Sequence, residues 1–188
     1  FRSADIHYYR NGHLQVYESA EGVEAGKISI AEQQALGLEI ELVEGAALRE
    51  LAPGISPHVI AGRYTSNDGH ADPKRTTQAF ANAAERAGAD IQEGIEVVRL
   101  LTDGDRVIGV ETQTDKIMAD HVILATGAWT RDLVLPLGVA LPLQVHGLQM
   151  ILTKPMPANL LQVVGAWGRK LSLKQLREGN YLIGGGWP

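Results

Sequence analysis

The amino-acid sequence predicts an α/β fold with α+β character, in which part of a parallel sheet accompanies a mixed, largely antiparallel one. Three observations predict this fold. Segments with strand and helix patterns alternate along residues 8–65. The apolar run 122–125 is bounded by polar and turn residues, which is typical of a strand buried on both faces of a parallel sheet. Beyond Leu141, three β-rich runs follow one another, as expected of antiparallel strands.

The first third of the chain alternates regularly between strand and helix signals. Gly37 is placed to end the first helix, and Pro53-Gly54 is placed to end the second. The elements expected here, in chain order, are a strand over 8–18, a helix over 22–36, a strand over 40–43, a short helix over 46–51 and a strand over 59–65.

The strongest helix signal begins at Asp72-Pro73. Asp72 can accept hydrogen bonds from the free N–H groups of the first turn, and Pro73 has the backbone angle that the first helical position needs. Small and apolar residues recur at helical spacing as far as Ala87, and Gly88 suits the position just beyond the last turn. The sequence therefore predicts a helix over 72–87.

A three-stranded antiparallel meander is predicted over residues 91–119, with Asp103-Gly104 as a hairpin turn. The apolar run 122–125 is then expected to form a central strand. The remaining predicted elements are a short helix over 131–135 that Pro136 ends, and β-rich runs over 143–153, 161–173 and 180–184.

The composition excludes several classes of function. The chain has no cysteine, so disulfides, thiolate nucleophiles and cysteine metal sites are impossible. The net charge of −5 does not favour nucleic-acid binding. The sequence contains no run of about 18 apolar residues that could span a membrane, and its histidines form no metal-binding pattern. A cytoplasmic location is the default expectation.

The turn after the apolar run is the strongest candidate for ligand binding. Gly127 at the carboxyl end of a strand would let a ligand approach the backbone, and a helix start beyond it favours an anion. Ligands of open α/β sheets bind at such strand ends. From the pattern alone, a plain buried strand followed by a tight turn stays the alternative.

Four segments in this order resemble the FAD-dependent oxidoreductases of the D-amino-acid oxidase superfamily. Within it the similarity is greatest to the sarcosine oxidase β subunit and related amine dehydrogenase subunits, and it covers nearly the whole chain. The segments are Asn67-Asp68-Gly69-His70-Ala71-Asp72-Pro73, the stretch 88–97, Val122-Ile123-Leu124-Ala125-Thr126-Gly127-Ala128-Trp129-Thr130, and the returning strands 148–153 and 180–186.

The resemblance implies a cofactor, a reaction and a set of contact residues. The cofactor is FAD, and the reaction is oxidation of an amine or α-amino acid, such as sarcosine, glycine or proline, to an imine by hydride transfer to the flavin. A small amine substrate and other oxidase or dehydrogenase subunits are the implied partners, and no catalytic side chain stands out. Contacts are expected from Val97, Thr126, Gly127 and Trp129 to FAD, and from His146, Gln149, Arg169 and Tyr181 to the substrate.

The four substrate candidates also have ordinary structural interpretations. His146 can be a solvent-facing strand residue, Arg169 can lie in a solvated turn, and Tyr181 can be a core aromatic. A guanidinium such as that of Arg169 can hold a substrate carboxylate in a bidentate contact.

One family motif is missing from this chain. The family opens with a βαβ unit that carries G-x-G-x-x-G and holds the FAD pyrophosphate, and the sequence contains no such motif. We therefore expect an internal fragment that is inactive alone and does not retain FAD at micromolar concentration. The expected parts are 1–70 and 140–188 of a substrate domain and 71–139 of the FAD domain.

Two other classes of protein stay open at this point. One is a non-catalytic binding or assembly subunit that keeps the fold. The other is a flavin hydroxylase or a disulfide-reductase-like enzyme, although those reductases need a cysteine pair that this chain lacks.

Overall fold

The computed structural model describes residues 5–186, which divide into two compact units. The first unit contains the chain up to Ala83 together with the segment that starts at Gly147, and the second contains Ala84–His146. The predicted boundaries between the substrate-domain parts and the FAD-domain part lie elsewhere, at residues 70/71 and 139/140. Which unit serves the substrate and which serves the cofactor stays a prediction.

A seven-stranded mixed sheet forms the first unit. Its strands are β1 His13–Tyr17, β2 Glu41–Glu44, β3 Ala61–Thr65, β7 Gln149–Pro155, β8 Val163–Ala166, β9 Ser172–Gln175 and β10 Asn180–Gly186. Their spatial order is β2-β3-β1-β8-β9-β10-β7. The pair β1–β8 is parallel and the other neighbouring pairs are antiparallel. The predicted mixed, largely antiparallel sheet is confirmed.

Two helices, α1 Ala20–Ala35 and α2 Gly45–Leu51, pack on opposite faces of this sheet. Successive side chains of a strand point to opposite faces. Leu14 and Val16 of β1 are therefore buried with Leu48 of α2 in the main core, whereas Tyr17 is buried with Val23 of α1 in a smaller cluster. Both helices lie where the sequence predicts them. No helix between residues 5 and 186 is long and apolar enough to cross a membrane.

Helix α3, Pro73–Arg86, confirms the predicted helix and its cap. The Asp72 carboxylate accepts a hydrogen bond of 2.9 Å from the backbone N–H of Arg75, and this bond lowers the pKa of Asp72. Gly88 has φ +95°, the left-handed conformation expected just after a helix. Phe80, which shares the helical spacing of the apolar positions, is 60% exposed.

The second unit contains the predicted antiparallel meander. Its strands are β4 Val97–Asp103, β5 Arg106–Thr112 and β6 Lys116–Met118, in that order in the sheet. Gly104 in the β4–β5 hairpin has φ +57°, which suits glycine in a tight turn. The short helix α4, Thr130–Val134, follows a single 3₁₀ turn, Gly127–Trp129.

Two strand predictions were wrong. Residues 121–126 form no strand, and Ile123 is 91% exposed. A strand needs a partner for its backbone groups, and no strand among residues 5–186 pairs with this run. The predicted single run 161–173 is two strands, because a turn with Gly168 at φ +73° separates β8 from β9.

Candidate functional site

A row of cross-strand neighbours crosses the first unit on the sheet face opposite the main core. Backbone pairing places Gln15 between Arg63 and Gly165. Ser172 in turn lies between Gly165 and Gly184. We call these five residues, Arg63, Gln15, Gly165, Ser172 and Gly184, the polar row. Since Leu14 and Val16 point into the main core, alternation places Gln15 on the other face, which is the face of α1.

Side chains from adjacent strands cover the two glycines of the polar row. A Cβ atom added at Gly165 would lie 2.9 Å from Oε1 of Gln15 and 3.5 Å from Nε2 of His13. A Cβ atom added at Gly184 would lie 2.5 Å from the sulfur of Met150. The absence of side chains at these positions lets the Gln15 amide and the His13 imidazole lie together over β8.

A cavity of about 380 Å³ lies at the Arg63 end of the polar row, between α1 and the sheet. The Nη1 atom of Arg63 donates a hydrogen bond of 3.1 Å to Oγ of Ser29. The Nε atom of Arg63 is buried without a hydrogen-bond partner, and Arg63 forms no ion pair within residues 5–186. A buried donor on a charged group is costly without an acceptor. This cavity is therefore lined by a cation that has one unsatisfied N–H donor.

Two partly buried histidines lie on the first unit, and both have lowered pKa values. For His13, burial lowers the pKa most, the charge of Asp68 opposes this change, and the charge of Arg63 lowers the pKa further. For His70, burial lowers the pKa most and the charge of Lys174 adds to it. Both imidazoles are therefore neutral near pH 7 and can accept a proton.

We expect the stability of the protein to fall as the pH falls from 6.5, the ordinary histidine pKa. Because the folded-state pKa values of His13 and His70 are lower, the unfolded chain binds more protons in this range, and protonation favours unfolding. Denaturant unfolding at pH 7.5 and 5.5 measures the effect. The double variant His13→Gln, His70→Gln should lose less stability between these pH values than the parent protein. The exposed His58→Gln serves as the matched control for the loss of a histidine.

The segment Asp68–Pro73, which carries part of the family resemblance, lies against an earlier part of the chain. Tyr9 and His70 exchange backbone hydrogen bonds of 2.8 and 3.0 Å, and their rings are 5.3 Å apart. A cavity of about 190 Å³ beside them is lined by both rings and by polar side chains from β9 and the β9–β10 turn, among them Lys174 and Arg177. This is a second polar cavity of the first unit.

The predicted substrate residues lie in different environments. Gln149 is exposed at the start of the edge strand β7. Arg169, in the β8–β9 turn, forms an ion pair of 2.5 Å with Glu18. Tyr181 packs against the main core and donates a hydrogen bond to Asn159. His146 is exposed and belongs to the second unit, and none of the four residues lines either of the two cavities described above. Their roles stay predictions.

The predicted cofactor residues all lie in the second unit. Val97 begins β4, is half-buried and pairs with Thr112. The hydroxyl of Thr126 lies 2.9 Å from that of Thr130. Gly127 has φ +54°, and a Cβ atom added there would meet nothing within 4 Å. The Trp129 side chain is 72% exposed. The turn after residues 122–125 is therefore open, although the segment before it is not a strand.

Comparison with known proteins gives the family. Residues 2–187 match the family described as DAO, FAD dependent oxidoreductase. The chain belongs to this family. Its members depend on FAD, as the sequence resemblance implies.

The chain is similar to several oxidases and dehydrogenases. It is 36% identical over 142 residues to 4-methylaminobutanoate oxidase (formaldehyde-forming) of Paenarthrobacter nicotinovorans. This alignment covers 74% of this chain and 17% of that protein. It is 39% identical over 113 residues to glycine oxidase of Pseudomonas aeruginosa, with 60% of this chain and 30% of that protein covered.

The fold is similar to solved structures of the same kind. The L-proline dehydrogenase from P. horikoshii matches with a TM-score of 0.89 and 27% identity, over 95% of this chain and 49% of that one. Glycine oxidase from Bacillus cereus shares the fold with a TM-score of 0.80 and 24% identity, over 98% of this chain and 50% of that one. The chain therefore spans about half the length of these two solved structures, and less of the two curated relatives.

The predicted cofactor residues fit contact with part of FAD. The open backbone at Gly127 and the exposed rings of Trp129 leave room for a flat group of the dinucleotide. The oriented N–H donors that hold a pyrophosphate need a glycine-rich turn at a helix start, and the sequence has no G-x-G-x-x-G. That this chain makes only secondary contacts with FAD stays a prediction.

Sequence analysis missed the polar row. Side-chain alternation would have assigned Gln15 to one face of β1 and Arg63 to one face of β3. Their juxtaposition depends on the β1–β3 register, and the position of Gly165 depends on the parallel β1–β8 pairing. No local pattern encodes either pairing.

Proposed function

We propose that this protein, in its full-length form, oxidises an amine or an α-amino acid to an imine with FAD as the hydride acceptor. The match of residues 2–187 to the DAO family carries the proposal. The relatives named above act on 4-methylaminobutanoate and glycine, and the solved neighbour acts on L-proline. Each of these compounds has an amine and a carboxylate, so we infer a substrate of this chemical class.

FAD, when bound, accepts the hydride from the carbon next to the amine nitrogen, so the chain's own residues bind and orient the substrate. Neutral His13 takes the proton of the substrate ammonium, because only a neutral amine has the lone pair that forms the imine. The Gln15 amide and the Ser172 hydroxyl offer hydrogen bonds along the polar row. This assignment concerns the first unit alone.

Anaerobic flavin reduction tests the proposed activity. The full-length protein should bind FAD, and its flavin absorbance should be lost on addition of at least one of sarcosine, glycine, L-proline and 4-methylaminobutanoate. N,N,N-trimethylglycine is the matched control, because its quaternary nitrogen has no lone pair and should leave the flavin oxidised. A protein that holds FAD but is reduced by no compound of this panel contradicts the amine-oxidation proposal. A full-length protein without flavin contradicts it as well.

We also propose that oxidase or dehydrogenase subunits are partners and that the protein is cytoplasmic. The first proposal rests on the sequence similarity to the β subunit of sarcosine oxidase, and the second is the default from the sequence. Co-purification from the native host followed by mass spectrometry tests the partners. Cell fractionation with an antibody tests the location.

A further inference from the structure

The thioether of Met150 lies on the sheet face that carries the polar row. A Cβ atom added at Gly184 would lie 2.5 Å from Sδ and 2.9 Å from Cε of Met150. The same added atom would lie 3.8 Å from Cβ of Ser172. The side chains of Met150 and Ser172 therefore border one small space, which exists because Gly184 has no side chain.

A bulge in β10 gives Met150 this position. The pairing of β10 with β7 is regular up to Ile183 and resumes at Gly186, and Met150 alone lies opposite the two glycines between them. Gly185 has φ +101°, and a Cβ atom added there would collide with the backbone oxygen of Lys170. A bulge of this kind changes the direction of a side chain. Since only glycine fits at position 185, the sequence itself specifies the bulge that directs Met150 onto Gly184.

The Met150 sulfur can be reached by a small oxidant. Met150 is 55% exposed and belongs to the edge strand β7. The chain has no cysteine, so its methionine thioethers are its soft nucleophiles. Oxidation to the sulfoxide turns a flexible apolar side chain into a polar and chiral one, and methionine sulfoxide reductases reverse it. A reversible change of polarity at this position would act directly on the polar row.

We propose that Met150 is a modification site for hydrogen peroxide and that its oxidation weakens binding of the amine substrate at the Ser172 end of the polar row. The inference rests on the proposed function, which makes the polar row the binding surface. The sulfur attacks the peroxide, an S–O bond forms and the O–O bond breaks. The sulfur loses two electrons and keeps one oxygen, and the other oxygen leaves as water with both protons.

The sulfoxide oxygen competes with the substrate for Ser172. A thioether sulfur is only a weak acceptor, so the Ser172 hydroxyl is available to a ligand while Met150 is reduced. The oxygen added to the sulfur is a stronger acceptor, and it lies in the space that the two side chains share above Gly184. The Ser172 hydroxyl then donates to Met150, and the added oxygen also takes room from the substrate.

The test uses the full-length protein with FAD bound and the best substrate of the amine panel. Treatment with hydrogen peroxide should convert Met150 to its sulfoxide, which peptide mass spectrometry measures without turnover. The apparent Kd of the substrate in anaerobic flavin reduction should then rise about 3- to 10-fold, because one hydrogen bond to the substrate is lost. Treatment with methionine sulfoxide reductases should restore the original Kd.

Three variants isolate Met150, and the Kd of each is compared with its own untreated value. Met150→Leu has a similar volume and cannot be oxidised, so peroxide should leave its Kd unchanged. Met156→Leu is the matched control, because Met156 is 52% exposed, belongs to the same unit and lies beyond the end of β7. It should respond to peroxide like the parent. Met150→Gln places a polar amide where the sulfoxide would be and should bind the substrate more weakly than Met150→Leu without any peroxide.

Three results would overturn the inference and leave the proposed function intact. They are an unchanged Kd when Met150 is fully oxidised, an equal rise of Kd in the parent and in Met150→Leu, and a Met150 that stays reduced while Met156 is oxidised. A parent protein that no amine of the panel reduces contradicts the proposed function and this inference with it. The untreated parent therefore distinguishes the two failures.

Discussion

Full-length protein that carries Gly127→Val is expected to lose its FAD during purification, because its affinity for FAD should fall by more than about tenfold. Gly127 has φ +54°, where an L residue is strained by roughly 1–2 kcal/mol. A Cβ atom there meets nothing within 4 Å of this chain, so a side chain would point into open space. We predict that FAD uses that space, and a branched side chain would exclude it. The ratio of flavin to protein after gel filtration measures the loss.

Gly138→Val separates cofactor exclusion from backbone strain. Gly138 also has positive φ, at +77°, has open space around its Cβ position, and lies in the same unit. It lies outside the predicted cofactor segment. Gly138→Val should therefore lower stability about as much as Gly127→Val and keep FAD. Equal loss of FAD in both variants, or full retention in Gly127→Val, would show that the Thr126-Gly127 turn does not contact the cofactor.

Elements with local signals could be predicted from the sequence. The prediction of helix α3 needed only the Asp72 cap, the periodicity and Gly88, and the helix, its cap and the positive φ of Gly88 are observed. The β4–β5 hairpin needed only Asp103-Gly104 between two strand patterns. In these cases the energy that defines the element comes from residues a few positions apart.

The predicted strand at 122–125 shows what local signals cannot determine. An apolar run indicates burial, but a strand forms only when a neighbour accepts and donates its backbone hydrogen bonds. Such a neighbour can lie anywhere along the chain, and none pairs with 122–125 among residues 5–186. The parallel pairing of β1 with β8, which places His13 opposite Val163, also could not be predicted from local sequence signals.

The residues of the candidate site also divide into those with a local sequence signal and those whose environment depends on distant parts of the chain. A local pattern predicts the Thr126-Gly127 turn, and the structure places an open, positive-φ glycine there. The charge of Arg169 predicts a carboxylate contact, but its ion pair with Glu18 joins residues 151 positions apart. Arg63 had no local signal at all. Its unpaired Nε depends on which strand and helix pack around it.

Gly69→Ala is expected to destabilise the first unit by about 2–5 kcal/mol, through overpacking and lost hydrogen bonds. A Cβ atom at Gly69 would lie 2.2 Å from the backbone oxygen of Tyr9 and 3.0 Å from the Cα atom of Arg10. Backbone atoms cannot rotate away as a side chain can, so the segment 68–70 must move from Tyr9. The two backbone hydrogen bonds between Tyr9 and His70 would then break, and the polar cavity beside them would open.

Hydrogen exchange and denaturant unfolding measure this change. The amides of Tyr9 and His70 should lose protection first in Gly69→Ala, because both donate in the broken bridge. Gly147→Ala is the matched control, since Gly147 belongs to the same unit, has no positive φ and has nothing within 4 Å of its Cβ position. It should leave stability within about 0.5 kcal/mol of the parent. Unchanged protection at Tyr9 and His70 in Gly69→Ala would mean that the contact between the two segments is looser than the structure has it.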